Sequence, residues 1–117
     1  ETSDNRIKTD IATLSNDAAL TFINSFTPRT YKRLNAAGET IDEVHYGLIA
    51  QEIEDVLTSL SIDKTKFGLI KLPETETKVD YHGNTVVNPR ALAYTELIAP
   101  LIGSIKALTA RIQELEE

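Results

Sequence analysis

The chain has 117 residues, no cysteine and a net charge of −6, with 41% apolar but only 6% aromatic residues. This length predicts a single soluble domain with a modest core, and the scarcity of aromatics favours additional burial between chains. The acidic balance argues against nucleic-acid binding, the missing cysteines exclude disulfides, and no apolar run or leader pattern predicts a membrane span or export.

The first third of the chain predicts an extended segment, a helix and a strand. Residues 1–11 mix turn formers with alternating apolar and polar side chains, a pattern typical of extended backbone. A short helix then begins at Ser15 or Asn16, either of which can cap it, and must end before Pro28. The run RTYKRL that follows is a strand candidate, with a loop around Gly38 after it.

The middle of the chain changes its hydrophobic period. Residues 44–49 form an apolar, strand-like run, and helical spacing then takes over as far as Leu60. Residues 66–72 predict another strand, closed by Pro73. Residues 79–87 predict a hairpin that turns at 82–84, where Gly83 can take a positive φ.

Residues 88–117 predict a C-terminal helix with one interruption. Pro100 lacks an N–H and crowds the carbonyl of Glu96, so we expect a kink or restart that costs about 3 kcal/mol if nothing compensates it. The apolar residues of this helix repeat at the heptad spacing of a coiled coil. This seam consists of Ile98, Leu101, Ile105, Leu108, Ile112 and Leu115.

The seam leaves three interpretations open. Isoleucine at a and leucine at d favour a dimer, whereas RIQELE resembles the R-h-x-x-h-E motif of parallel three-stranded coiled coils, in which h is apolar. Arg111 and Glu116 occupy the g and e′ positions that meet across such an interface. An amphipathic helix packed within one chain is the third interpretation. We favour the trimer because the motif couples the arginine and glutamate to the seam.

Ser3 and Lys8 form the one candidate nucleophile–base pair. A serine hydroxyl needs a base to become a good nucleophile, and a lysine serves as that base only when its pKa is lowered. Five residues place two side chains roughly 140° apart in a helix, or on opposite faces of a strand. The pair can therefore meet only across a turn at Asp4-Asn5, or between chains. Otherwise Ser3 caps a turn and Lys8 lies in solvent.

The remaining polar residues predict no second site. His45 and His82 lack any metal-ligand spacing, so we expect a strand residue and a turn residue, with no metal and no cofactor. The acidic residues Glu52, Glu54 and Asp55 are expected to form the solvent face of a helix. No phosphate-binding glycine loop is present.

Three segments carry a resemblance to a known family. The run SDNRIKTDI matches the S-D-x-R-x-K pattern that opens the C-terminal intramolecular chaperone domain of phage endosialidases, tail fibres and neck appendages. That domain is similar to one in myelin regulatory factor. GLIAQEIEDV resembles its central strand-to-helix segment, and YTELIAPLIGSIKALTARIQELE resembles its closing helix.

The resemblance implies an α+β fold with a small sheet, short helices and a long C-terminal helix that forms a trimeric coiled coil. Within the single domain 1–117, it implies a cleavage segment at 1–11, a body at 12–87 and the helix at 88–117. The homotrimer would guide the folding of the upstream fibre region of the same polypeptide. It would belong to a virion precursor assembled in the host cytoplasm and be released after maturation.

The resemblance also implies a self-cleaving serine peptidase. The cut falls between Thr2 and Ser3, with Ser3 as nucleophile and Lys8 as base. Asp4 and Arg6 complete the motif, and Arg6 either holds Asp4 or lowers the pKa of Lys8. The alternatives are a non-catalytic trimerisation or interaction module and a monomeric domain that binds a partner helix.

Overall fold

Three helices organise the chain in the computed structural model, which describes residues 2–117. Glu1, the first residue of the predicted cleavage segment, lies outside the described residues. The predicted short helix is confirmed as α1 (Asn16–Asn24), where the Ser15 hydroxyl accepts from the Ala18 N–H at 3.3 Å. The other two helices are α2 (Ala50–Ser59) and α3 (Ile98–Glu116).

Within residues 2–117, six strands pair as three two-stranded antiparallel sheets, where a single small sheet was expected. The pairs are β1 (Arg29–Leu34) with β2 (Thr40–Gly47), β3 (Ile70–Lys71) with β6 (Ala91–Leu92), and β4 (Thr77–Val79) with β5 (Thr85–Val87). The strand predicted at RTYKRL is confirmed, and so is the α+β class in this coarser form.

The predicted hairpin is confirmed as β4 and β5. Its turn is closed by Asp80, whose Oδ1 accepts from the N–H groups of His82 at 2.9 Å and Asn84 at 2.8 Å. Gly83 has a φ of +80°, the left-handed conformation that glycine adopts without a steric penalty.

Two predicted extended segments are shorter or absent. Residues 2–14 contain no strand, and the backbone makes a 3₁₀ turn at Asn5–Ile7. The strand predicted at 66–72 is reduced to β3. A 3₁₀ turn at Lys64–Lys66 precedes it, capped by the Asp63 carboxylate, which accepts from the Thr65 N–H at 3.0 Å. Local side-chain capping therefore overrides the apolar pattern in both places.

The prediction of helix from residue 88 is wrong. Residues before α3 form β6 and a 3₁₀ turn at Tyr94–Leu97, and α3 begins only at Ile98. Pro100 is thus the third residue of the helix. The N–H groups of the first turn have no intrahelical partner, so proline costs little at that position.

The core lies between α1, α2 and β3. Phe22 packs edge-on against Phe26 and Phe67, with ring centroids 4.7 and 5.9 Å apart. The buried residues of this cluster are Phe22, Ile53, Leu57, Leu69 and Ile70. On its other side α1 packs against α3, where a Cβ added to Gly103 would stand 2.7 Å from the Cβ of Ala19. The cores of both contacts are small, as the low aromatic content predicts.

Candidate active site

The 3₁₀ turn at Asn5–Ile7 brings Ser3 and Lys8 together. The turn reverses the chain between them, and Lys8 resumes extended backbone with φ −118° and ψ 155°. The Lys8 Nζ donates to the Ser3 Oγ at 2.8 Å. This distance is within the range needed for proton transfer between a hydroxyl and its base.

Asp4 and Arg6 lie beside this pair and contact each other. The Asp4 Oδ1 accepts from the backbone N–H of Arg6 at 2.9 Å and caps the turn. The Arg6 side chain donates from Nε to both carboxylate oxygens at 3.1 Å and from Nη2 to Oδ2 at 2.6 Å. These hydrogen bonds, chiefly the one from the Arg6 side chain, lower the pKa of Asp4, and the carboxylate in turn raises the pKa of Arg6.

The site is open to water in the single chain. Ser3 and Lys8 are both exposed, and so is the peptide that precedes Ser3. A single chain thus forms the Ser3–Lys8 hydrogen bond without shielding it from water.

The predicted seam of α3 is exposed along its length. The exposed fraction is 45% for Leu101 and 86% for Leu115, and the other four seam residues lie between these values. The side of α3 that contacts α1 is instead lined by small residues, namely Pro100, Gly103, Ser104 and Ala107. The helix thus packs on its own chain through a face that leaves the isoleucines and leucines uncovered.

A family model described as "Chaperone of endosialidase", which is a peptidase family, matches residues 3–62. The match begins at Ser3 and covers the turn, α1, the β1–β2 hairpin, α2 and the two residues after Leu60. The chain belongs to the chaperone of endosialidase family. No curated protein matches it significantly.

Two solved structures resemble this family member over most of its length. The first is a crystal structure of a novel intramolecular chaperon, with 27% identity and a TM-score of 0.65, and the match covers 93% of this chain and 99% of that one. The second is the carboxy-terminal domain of the bacteriophage T5 L-shaped tail fiber with its intra-molecular chaperone domain. It is 21% identical with a TM-score of 0.56, and the match covers all of this chain but 32% of the fiber chain.

The two histidines have the structural surroundings expected for a strand and a turn residue. His45 on β2 stacks on Tyr31 with ring centroids 5.8 Å apart, and its Nε2 lies 3.4 Å from Glu43 Oε1. His82 lies in the β4–β5 turn. Within residues 2–117, no group of three or more histidine, cysteine or acidic residues is placed to hold a metal ion. No helix in this part of the chain is long and apolar enough to cross a membrane.

The acidic residues of α2 do not form the simple solvent face that was expected. The Glu54 side chain is only 13% exposed and contacts Lys64 at 2.8 Å and Arg90 at 2.6 Å. Glu52 pairs with Arg29 at 2.7 Å, whereas Asp55 is exposed. The amphipathic pattern assigned these carboxylates to water because their basic partners lie far away in the sequence.

The structure also has a concave surface that the sequence did not predict. A largely apolar groove of about 510 Å³ lies where the β1–β2 hairpin meets the start of α3. At its base the Tyr94 hydroxyl accepts from the Leu48 N–H at 3.0 Å. A Cβ on Gly47 would stand 2.6 Å from that hydroxyl, so a larger residue there would have to displace the Tyr94 side chain. Gly47, the last residue of β2, was the one sequence feature that could have indicated this groove. Nothing in the sequence indicated that Gly47 lies beside Tyr94.

Proposed function

We propose that the chain is a homotrimeric intramolecular chaperone that assists the folding of an upstream phage fibre or appendage and then releases itself by cutting between Thr2 and Ser3. The observation that carries the peptidase step is the 2.8 Å hydrogen bond between Lys8 Nζ and Ser3 Oγ. Family membership and the likeness to an intramolecular chaperon support the folding role. No cofactor enters the proposal.

The proposed reaction uses the serine that follows the cleaved bond. Ser3 Oγ attacks the carbonyl carbon of Thr2, and Lys8 Nζ takes the hydroxyl proton. As the C–N bond breaks, that proton passes to the departing amine of Ser3, and Thr2 remains as an ester on Ser3 Oγ. Water then hydrolyses the ester, which leaves a carboxylate on Thr2 and restores the serine hydroxyl.

Holding the reacting groups in one turn accounts for much of the expected acceleration of cleavage. Serine, carbonyl and lysine lie within seven consecutive residues of the chain, so no second molecule has to be captured. A single turnover suffices for release. A neighbouring chain that covers Ser3 and Lys8 would exclude water from the reacting groups, so cleavage would follow assembly.

The exposed seam supports the trimer. Six isoleucine and leucine side chains project from α3 at heptad spacing, each at least 45% exposed, and exposed apolar patches of this kind mark interfaces. Arg111 approaches Asp17 of its own chain at 3.7 Å. In the trimer we propose that it turns to Glu116 of a neighbouring helix.

The surface area supports the same assembly. The single chain exposes 9037 Å², whereas a compact monomer of this mass exposes about 6,300 Å². Burial between subunits accounts naturally for an excess of this size. A trimer also suits a fibre chaperone, because three chains held at one end lose less entropy when they pair in register.

We predict that Ser3→Ala abolishes cleavage in a precursor that carries native upstream sequence. Lys8→Arg keeps the positive charge but cannot accept a proton near neutral pH, so it should slow cleavage by on the order of a hundredfold or more. The product masses are measured by intact-protein mass spectrometry over time. Hydroxylamine added during the reaction should trap the ester as a hydroxamate on Thr2.

Three outcomes would count against the mechanism. Cleavage before residue 3 in Ser3→Ala would remove Ser3 as nucleophile. Wild-type rates in Lys8→Arg would reduce Lys8 to an electrostatic role. A precursor that trimerises and never cuts would favour the non-catalytic trimerisation module.

A further inference from the structure

The Ser3–Lys8 contact depends on a turn that is short and weakly held by its backbone. The 3₁₀ turn has only three residues, and its two backbone hydrogen bonds, Ile7 N–H to Asp4 C=O and Lys8 N–H to Asn5 C=O, are both 3.3 Å long. Isolated 3₁₀ turns have poor hydrogen-bond geometry and little intrinsic stability. Something other than the backbone must therefore fix the distance between Ser3 and Lys8.

The Asp4 carboxylate supplies the shortest contact made to the backbone of the turn. Its Oδ1 accepts from the Arg6 N–H at 2.9 Å, the hydrogen bond of an N-cap. Asp4 is the residue next to Ser3, and Arg6 lies two residues before Lys8. The cap therefore holds the backbone that connects the Ser3 hydroxyl to the Lys8 amine in its turn.

The Arg6 side chain orients that carboxylate. Its Nε and Nη2 make three contacts to the two oxygens of Asp4, the forked geometry that arginine offers and lysine does not. All of its side-chain hydrogen bonds in the described structure go to Asp4, and none goes to Ser3 or Lys8. Of the two roles considered for Arg6, the contacts thus favour holding Asp4.

We infer that Asp4 and Arg6 are positioning residues for the cleavage: Asp4 caps the turn, and Arg6 locks the Asp4 carboxylate in its capping orientation. The inference rests on the proposed function of Ser3 and Lys8. The ion pair itself is exposed, with Arg6 85% and Asp4 37% accessible. Exposed pairs contribute little to global stability, so its loss should act on the site and not on the fold.

The test compares five variants in the cleavable precursor. Asp4→Ala removes cap and fork and should slow cleavage roughly tenfold, given the usual cost of a lost cap. Asp4→Asn keeps an oxygen that can accept from the Arg6 N–H, so it should recover part of the lost rate. Arg6→Ala and Arg6→Lys lose only the forked contact between the Arg6 guanidinium and the Asp4 carboxylate. Both cleavage rates should fall between those of wild type and Asp4→Ala. Equal rates for these two would show that fork geometry matters and charge does not.

Matched controls separate this inference from the proposal on which it rests. Asp55→Ala and Arg33→Ala remove exposed charges outside the motif and should cut at the wild-type rate. Ser3→Ala, the fifth variant, should remain uncut. If Asp4→Ala is cleaved at the wild-type rate while Ser3→Ala is not cleaved, Asp4 has no positioning role, but Ser3 is still supported as the nucleophile. If Ser3→Ala cuts, the proposed function fails first.

Two further readouts exclude a merely structural effect. Thermal midpoint and sedimentation of Asp4→Ala should match wild type, and a loss of the trimer would overturn the inference. Equal cleavage rates for Asp4→Asn and Asp4→Ala would also overturn it, since a cap that matters must be rescued by an acceptor of the same shape.

Discussion

At the scale of single residues, Glu54 is a side chain that joins three separate parts of the chain. Its carboxylate on α2 contacts Lys64 in the turn before β3 and Arg90 before β6. The hydrogen bond from Lys64 is the main cause that lowers the pKa of Glu54 below its usual 4.5, and the contact from Arg90 acts in the same direction. A lowered carboxyl pKa means that the ionised form stabilises the fold.

We predict that Glu54→Gln lowers the free energy of unfolding at pH 7 by on the order of 1–2 kcal/mol, because two cations lose a charged acceptor. The folded-state pKa is depressed, so this stabilisation is present above pH 4.5 and is lost as the pH falls through the folded-state pKa. The difference between wild type and variant should therefore shrink in acid. Thermal unfolding between pH 3 and 7 measures it, with exposed Asp55→Asn as the control. A difference that stays constant with pH would contradict the ionic interpretation.

The contrast between Lys8 and Glu54 shows which contacts a sequence can reveal. Ser3 and Lys8 are close in the chain, and the turn chemistry of Asp4-Asn5 predicts how they meet. Glu54 is ten residues from Lys64 and thirty-six from Arg90. The helical pattern alone placed it in solvent, since no local feature brings those cations to it.

At the scale of secondary-structure elements, α3 carries large side chains on one face and small side chains on another. One carries the isoleucine and leucine seam, which heptad spacing predicted. The other carries small residues that fit against α1, and hydrophobic periodicity did not indicate it because glycine and serine carry little apolar area. The start of α3 was also misplaced, because helical pattern cannot show that Pro100 belongs to a first turn.

We predict that Gly103→Ala destabilises the α1–α3 contact although alanine is the better helix former. The added methyl would stand 2.7 Å from the Cβ of Ala19. Overpacking of about 1–3 kcal/mol then exceeds a helix-propensity gain of about 1 kcal/mol. Ala19→Gly in the same chain removes the clash, so the double variant should be more stable than the sum of the single effects predicts.

Denaturant unfolding of the two single variants and the double variant gives the coupling energy. Ala18→Gly, at an exposed position on α1, measures the cost of a glycine in that helix without relieving the clash between positions 103 and 19. Additive effects in the Gly103 and Ala19 cycle would show that the two helices do not pack as described.

At the scale of the whole molecule, the single chain is more extended than a compact domain of its length. Its radius of gyration is 17.7 Å, against about 13 Å for a compact domain of similar length. The strands form three two-stranded sheets that are not hydrogen-bonded into one larger sheet. The composition indicated a loosely packed single chain, because few aromatic side chains are available to fill one core. It could not show which surfaces of the chain stay exposed.

We predict that the thermal midpoint rises with protein concentration, since association stabilises only the folded chains. Ile105→Asp should remove this dependence and give a monomer in sedimentation equilibrium. Ile105 is 64% exposed in the single chain, so the aspartate leaves the fold intact but places a charge in the seam at a cost of several kcal/mol. In the precursor, the same change should lower the yield of soluble fibre.

Lys106→Asp, on an exposed part of α3 outside the seam, is the matched control and should remain trimeric. A wild-type midpoint that does not change with concentration, together with monomeric sedimentation, would favour the domain that binds a partner helix.

The short turn at Asn5–Ile7 also bears on whether this domain can be joined to different upstream sequences. The proposed nucleophile and base and the two charged residues beside them all lie on one side of the Thr2–Ser3 bond, and the proposed reaction takes only a backbone carbonyl from the other side. Recombination could therefore join the coding region for this domain to that of a different fibre without co-evolution of the junction. We expect the residue before the serine to vary freely among natural fusions, while the six residues from Ser3 to Lys8 travel as a unit.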